Sequence, residues 1–289
     1  MYRKTSISIN QLRDYSSLFS RNSVTSWMKN DFQSINIKIQ RYDKKWLDSN
    51  RATYMDYIKY VYKVLESKYQ NEYILKNTFL NKWLIKEVGH ENSQVFSEFR
   101  VGNAIVDLAM FNGTSKAFEI KTEMDSPKRL NFQLENYRKA FNEIYLILPY
   151  SKVEQYKDYD KEIGIITFYP DSVEKFQIHR KSIANEIVDK DTIMKILHTH
   201  EYKSMVLEHY EFLPSMTSFN QFNVCRELLF DIPVSELNSY FIKFMKARQQ
   251  VNALSKRNYR ELNQMSLAMK FSPDERKNLI ARLKSPIHN

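Results

Sequence analysis

Four side chains between positions 98 and 121 have the types and spacing that metal-assisted chemistry needs. Glu98 precedes a Gly102-Asn103 dipeptide and Asp107 follows it; Glu119-Ile120-Lys121 comes after a second turn signal at Asn112-Gly113. Gly-Asn between two alternating runs predicts a two-residue hairpin, because glycine supplies the positive φ that a tight turn demands. That loop pairs Val101 with Ala104, Arg100 with Ile105, Phe99 with Val106 and Glu98 with Asp107. Phe99, Val101, Val106, Leu108 and Met110 then share one apolar face, and both acids share the other. Directly opposed like charges are destabilising, so the arrangement asks for a cation among them.

Asn112-Gly113 fits a loop of roughly three to five residues with glycine in a left-handed conformation. If Phe118 and Ile120 of the next strand join the apolar face, Glu119 and Lys121 join Asp107. A one-residue slip would turn both charges into the apolar layer, so the pattern selects its own register. Carboxylates suit hard cations such as Mg²⁺, with Mn²⁺ as a substitute. Beside a phosphate oxygen such an ion is a Lewis acid and acidifies a bound water. A lysine two residues past one ligand lies on the same face. There it can orient the attacking water or offset charge on the phosphate. This is chemistry for cutting phosphodiesters. Glu119 and Lys121 alone would be an ordinary solvent-facing pair; Glu98 opposite Asp107 has no such plain explanation.

Val106-Asp107, a spacer of eleven residues, then Glu119-Ile120-Lys121 resembles the PD-(D/E)xK nuclease superfamily and its restriction-endonuclease-like fold. Asp125 and Arg129-Leu130-x-x-Gln133-Leu134-x-x-Tyr137 resemble the helix that follows the E-x-K strand in many members. F-N-E-I-Y-L-I-L from Phe141 to Leu148 then reads as the next core strand. Val106 stands where the family motif has proline. The resemblance covers roughly residues 66–170. It implies an α/β fold, a central mixed sheet flanked by helices; the flanks lie outside it, and their own patterns predict N-terminal helices and a mostly helical C-terminal region. It also implies that Asp107 and Glu119 bind metal, that Lys121 assists the nucleophile and that Gln133 supports the site. Glu98 is a further metal-ligand candidate from the hairpin geometry. Many members also use a glutamate from the preceding helix, and Glu72 is preferred to Glu66. The implied activity is a Mg²⁺-dependent nuclease acting on DNA, in phage defence, restriction or repair. The alternative is a nuclease fold without catalysis that binds nucleic acid or scaffolds partners. A pure binder gains nothing from acids facing phosphate, which argues against it.

The chain has 289 residues, room for one large domain or one domain with helical additions. No apolar run approaches the ~20 residues of a membrane span, and M-Y-R-K-T-S-I-S-I-N lacks the core of a signal peptide. Cys225 is the sole cysteine, so no intrachain disulfide forms and a reducing cytoplasm is the expected location. No G-x-G-x-x-G or phosphate-cradling loop appears, so nucleoside triphosphate chemistry is not supported.

The net charge is +10, and from Lys243 to Lys284 eleven Lys and Arg face three acids. The stretch from Phe241 to Leu262 has no Pro or Gly and predicts a helix with basic residues between apolar ones. Lys243, Lys246, Arg248, Lys256, Arg257 and Arg260, with Arg100 at the hairpin, are therefore candidate phosphate contacts. The same region is the expected place for a second copy or a partner protein. Three segments follow: N-terminal helices at 1–50, the nuclease core at 51–180, and a helical basic region at 181–289. His198 and His200 would diverge on a helix, two positions apart, so no shared ion is expected.

Overall fold

Polar caps start four of the five helices of the N-terminal part of the chain. Ser8, Ser20, Thr53 and Asn71 each accept a hydrogen bond from an amide in the following turn, satisfying donors that a helix start leaves unpaired. The helices are α1 (Ile9–Ser16), α2 (Arg21–Trp27), α3 (Gln33–Tyr42), α4 (Tyr54–Lys68) and α5 (Glu72–Phe79), the last running into a π-helical turn at Leu80–Leu84. The computed structural model describes residues 7–48, 51–87, 93–248, 254–255 and 257–287. Its contacts divide the chain into two units, Met1–Trp83 with Val251–Asn289, and Leu84–Gln250. The three expected segments are therefore not the units: the division cuts through both the 51–180 and the 181–289 segments.

In the first unit Tyr15, Trp27, Ile35, Tyr57 and Val61 form the centre of one apolar cluster. Beside them the buried Asp43 accepts hydrogen bonds from Tyr15 (2.5 Å), Tyr57 (2.8 Å) and Tyr60 (3.2 Å). Three phenols thus do for a buried carboxylate what water would do outside.

The second unit is built on a six-stranded sheet in the order β1 (Gln94–Val101), β2 (Ala104–Phe111), β3 (Ser115–Ile120), β4 (Glu143–Pro149), β5 (Gly164–Phe168), β6 (Phe176–Arg180). β1, β2 and β3 are antiparallel, β4 and β5 continue parallel to β3, and β6 is antiparallel again. The sheet is mixed, as expected. Helix α6 (Leu130–Tyr137) lies in the β3–β4 connection, and α7 (Lys190–Ile196), α8 (Thr199–Tyr210), α9 (Gln221–Asp231) and α10 (Val234–Ala247) follow the sheet. Ala109, Phe111, Ala117, Leu146 and Leu148 of the sheet pack in one cluster with Leu134 and Tyr137 of α6 and with Ile193, Met205, Leu229 and Phe241. Strand β6 was not expected: only Phe176 of its five residues is buried, so it carries no alternation to read.

The helix expected from Phe241 to Leu262 ends at Ala247. The chain passes there from the second unit to the first, which resumes with a 3₁₀ turn at Arg260–Leu262, α11 (Asn263–Ala268) and α12 (Pro273–Leu283). Ser272 and Glu275 form a capping box that starts α12, with Pro273 as its first residue. Among the described residues no helix is long and apolar enough to cross a membrane.

Candidate active site

Gly102 turns the β1–β2 hairpin with a φ of +56°, and the ladder has the expected register: Val101↔Ala104, Arg100↔Ile105, Phe99↔Val106. Pairing resumes at Ser97↔Leu108, so Glu98 and Asp107 stand opposite each other in register, though the ladder skips that position. Glu98 adopts a left-handed backbone, φ +54°, rare for a residue with a side chain. The two-residue alternation breaks here. Phe99, Val101 and Val106 share a cluster with Ala109 and Phe111, not with Leu108 and Met110. The expected grouping of those five residues on one face is thereby corrected. The two acids sit at the step where the strands change phase, and Glu98 is exposed.

Between β2 and β3 the register is Leu108↔Phe118 and Ala109↔Ala117, which sets Asp107 across from Glu119. Asp107 Oδ2 accepts a hydrogen bond from the Ile120 amide at 2.8 Å. Glu119 and Lys121 are both buried, with 3% and 8% exposure. Lys121 Nζ is 2.7 Å from Glu119 Oε1 and 3.0 Å from Gln133 Oε1, and Gln133 Nε2 donates to Glu119 Oε1 at 2.7 Å. The Tyr137 hydroxyl lies 2.7 Å from both Glu119 Oε2 and the Ile105 carbonyl oxygen, two acceptors for one proton. Burial, then the charge of Glu119, pushes the Tyr137 phenol well above its ordinary pKa, so it remains a donor. Asp125 accepts from the Thr122 amide and hydroxyl, both at 2.7 Å, and fastens the turn after β3.

Glu119 is thus the hub of the cluster, engaged by lysine, glutamine and tyrosine. The donors at hand are hard oxygens: the Asp107 and Glu119 carboxylates and the Gln133 amide oxygen. They suit a magnesium-like ion rather than a thiophilic one. A cation on Glu119 Oε1 would compete with the Lys121 ammonium. In the sequence Tyr137 stands only as part of the helix motif. Its spacing from Gln133, i and i+4, already sets the two on one helix face, and that signal could have assigned it to the cluster.

Other expected residues lie elsewhere. Glu72 belongs to the first unit and is ion-paired to Lys76 at 2.5 Å; Glu66 lines a pocket of that same unit. Arg100 is exposed near the hairpin tip, paired in register with the exposed Ile105. Lys243 is exposed and ion-paired to Glu208, and Lys246 is half-buried. Arg248 is corrected from phosphate contact to structural anchor. Its Nε and Nη2 reach the two oxygens of the buried Glu201 at 2.6 Å each, and Nη2 also donates to the Ile196 carbonyl. Arg257 is exposed, and Arg260 is half-buried with Nη2 on the Asn81 carbonyl. Lys256 falls outside the described residues.

The divergence expected of His198 and His200 does not hold. His198 is the extended cap residue of α8, outside the helix, and the ligand atoms of His198, His200 and Glu201 lie within 4.8 Å of one another. Glu201 is nevertheless saturated by Arg248 and by the His198 amide.

Comparison with known proteins supplies the relationship. Protein cII of Enterobacteria phage P4 is 28% identical over 132 residues, which are 45% of this chain. The match spans about half the length of that relative, 47%. A protein of unknown function from Silicibacter pomeroyi superposes with a TM-score of 0.31 and 12% identity, over 48% of this chain and 94% of its own; a likeness of that size carries neither fold family nor function. The model of the family described as bacteriophage P4 protein cII matches residues 65–269, well over half of the sequence, and the chain belongs to that family.

Proposed function

We propose that this chain is a divalent-metal-dependent nuclease that hydrolyses DNA phosphodiesters on a restriction-endonuclease-like core. One observation carries the reading: Lys121, Gln133 and Tyr137 converge on Glu119, whose strand neighbour in register is Asp107. Asp107 and Glu119 would hold Mg²⁺. The ion would supply Lewis-acid activation of phosphate and water. Lys121 would then be free to face the attacking water or a phosphate oxygen with its ammonium. Gln133 orients Lys121 and Glu119 together, and Tyr137 fixes the second carboxylate oxygen. Arg100, Lys246 and Arg257 add phosphate contacts whose strength falls with salt.

The test is cleavage of linear, circular and single-stranded DNA and of RNA, with Mg²⁺, Mn²⁺ or EDTA. Metal-dependent cleavage by the parent and its loss in Asp107→Ala are expected. Undiminished cleavage by purified Asp107→Ala sinks the reading.

A second reading keeps nucleic-acid binding without catalysis. What favours it is that Lys121 already neutralises Glu119, so that carboxylate needs no further cation. Calorimetry in which neither Mg²⁺ nor Mn²⁺ binds would select it.

A further inference from the structure

The first unit holds a pocket of about 310 Å³, within the ~300–1,000 Å³ typical of small-ligand sites. One face of α4 and the segment from α5 into the π-turn line it, with the 3₁₀ turn that follows Tyr259. Lys59, Lys63, Lys82 and Arg260 bring four positive charges, against two acids, Glu66 and Glu261. Three buried atoms of the lining have no hydrogen-bond partner: Oγ1 of Thr78, Nε of Arg260, a donor, and Oε1 of Glu261, an acceptor. A native structure seldom leaves such groups unanswered, and each one asks for a ligand, ion or water.

The walls are built rather than incidental. The Arg260 carbonyl accepts from Asn77 Nδ2 at 3.0 Å and Asn81 Nδ2 at 2.9 Å. Asn263 Nδ2 in turn holds Asn81 Oδ1 at 2.6 Å. Tyr259 takes a left-handed backbone, φ +56°, so that the turn presents Arg260 and Glu261. Left-handed non-glycine residues and single π-turns both concentrate at functional sites.

From the cations, the free donor and the free acceptor we infer that this pocket binds a nucleoside monophosphate unit. Its phosphate meets Lys63, Lys82 and Arg260, and a sugar hydroxyl or base amine donates to Glu261. That chemistry has two sources, a free mononucleotide or the phosphorylated end of a nucleic-acid strand. The inference does not depend on the proposed nuclease site.

Calorimetry on the full chain tests it, with a deoxynucleoside 5′-monophosphate, with inorganic phosphate, and with short oligonucleotides carrying or lacking a terminal phosphate. The nucleoside phosphate should bind roughly tenfold more tightly than inorganic phosphate, the contribution of one hydrogen bond to a charged acceptor. Glu261→Ala, which removes the acceptor, should erase that preference. Lys63→Gln with Lys82→Gln, both at exposed positions, should weaken binding roughly tenfold or more while thermal unfolding is unchanged. Asp107→Ala should bind as the parent does. Binding of the free nucleotide identifies that source; binding of phosphorylated oligonucleotides alone identifies strand ends, and either supports the site. No saturable binding of any phosphorylated ligand, equal affinity for inorganic phosphate, or a double-lysine variant that binds like the parent would each overturn it.

Discussion

At the scale of single residues, Glu119 is the group on which the others depend. A buried carboxylate is costly unless paired and hydrogen-bonded, and here Lys121 neutralises it while Gln133 and Tyr137 complete its bonds. Lys121→Ala leaves that carboxylate without its cation. A loss of about 3 kcal/mol of stability in EDTA is expected, together with loss of cleavage in Mg²⁺. Urea unfolding with and without metal separates the two effects, and an unchanged midpoint in EDTA would refute the anchoring role. Tyr137→Phe removes one donor and should cost about 1–2 kcal/mol. The phenol's pKa is raised by burial and by Glu119, so the native state keeps a proton that the unfolded chain releases at about pH 10. Its contribution is therefore full below that pH and falls as pH rises further. Unfolding midpoints of parent and Tyr137→Phe, followed from neutral to alkaline pH, should converge above it.

At the scale of elements, the hairpin shows how much of the site could be read beforehand and where reading stopped. Gly102-Asn103 with alternating flanks dictates the β1–β2 register, and Phe118 and Ile120 dictate that of β3, because a slipped strand would bury charge. The pairs Phe99↔Val106 and Leu108↔Phe118 follow from those rules alone. The left-handed backbone at Glu98 does not, since glutamate gives no compositional sign of it and simple alternation fails beyond that point. The same limit hid the end of α10: no Pro or Gly marks Arg248, whose position is decided by its bonds to Glu201 and Ile196. The turn itself can be tested. A Cβ at Gly102 would sit 2.7 Å from Asn136 Oδ1 on α6, with φ at +56°. Gly102→Ala should cost about 1–2 kcal/mol from the left-handed backbone alone, with further loss from moving Asn136. A urea midpoint equal to the parent's would show that the turn tolerates a side chain.

At the scale of the whole molecule, the sequence order conceals the organisation. The first unit is closed by its two distant ends: the Tyr54 amide donates to the Ser285 carbonyl at 3.2 Å and the Ile287 amide to the Ala52 carbonyl at 2.9 Å. No local periodicity announces a contact across more than 200 residues of chain. Hence the basic run that reads as one surface is divided, Lys243, Lys246 and Arg248 in one unit, Arg257 and Arg260 in the other. Charge counting treats these cations alike; their partners do not. Burial alone would raise the Glu201 carboxyl, but the Arg248 bonds and the His198 amide outweigh it and hold its pKa below the ordinary value of 4.5. A depressed pKa stabilises the fold above the unfolded value and loses that contribution as pH falls through the folded one. Arg248→Ala should therefore cost about 3–5 kcal/mol near neutral pH, with the difference from the parent shrinking below about pH 4.5. Its effect on the salt dependence of DNA binding should be negligible once the protein is folded. Lys246→Ala and Arg257→Ala should behave the opposite way, leaving stability almost unchanged and each lowering the salt slope by about one. Thermal unfolding across pH, read beside binding titrations at several salt concentrations, distinguishes the classes; a salt slope reduced by Arg248→Ala to the same extent would return that arginine to the phosphate contacts.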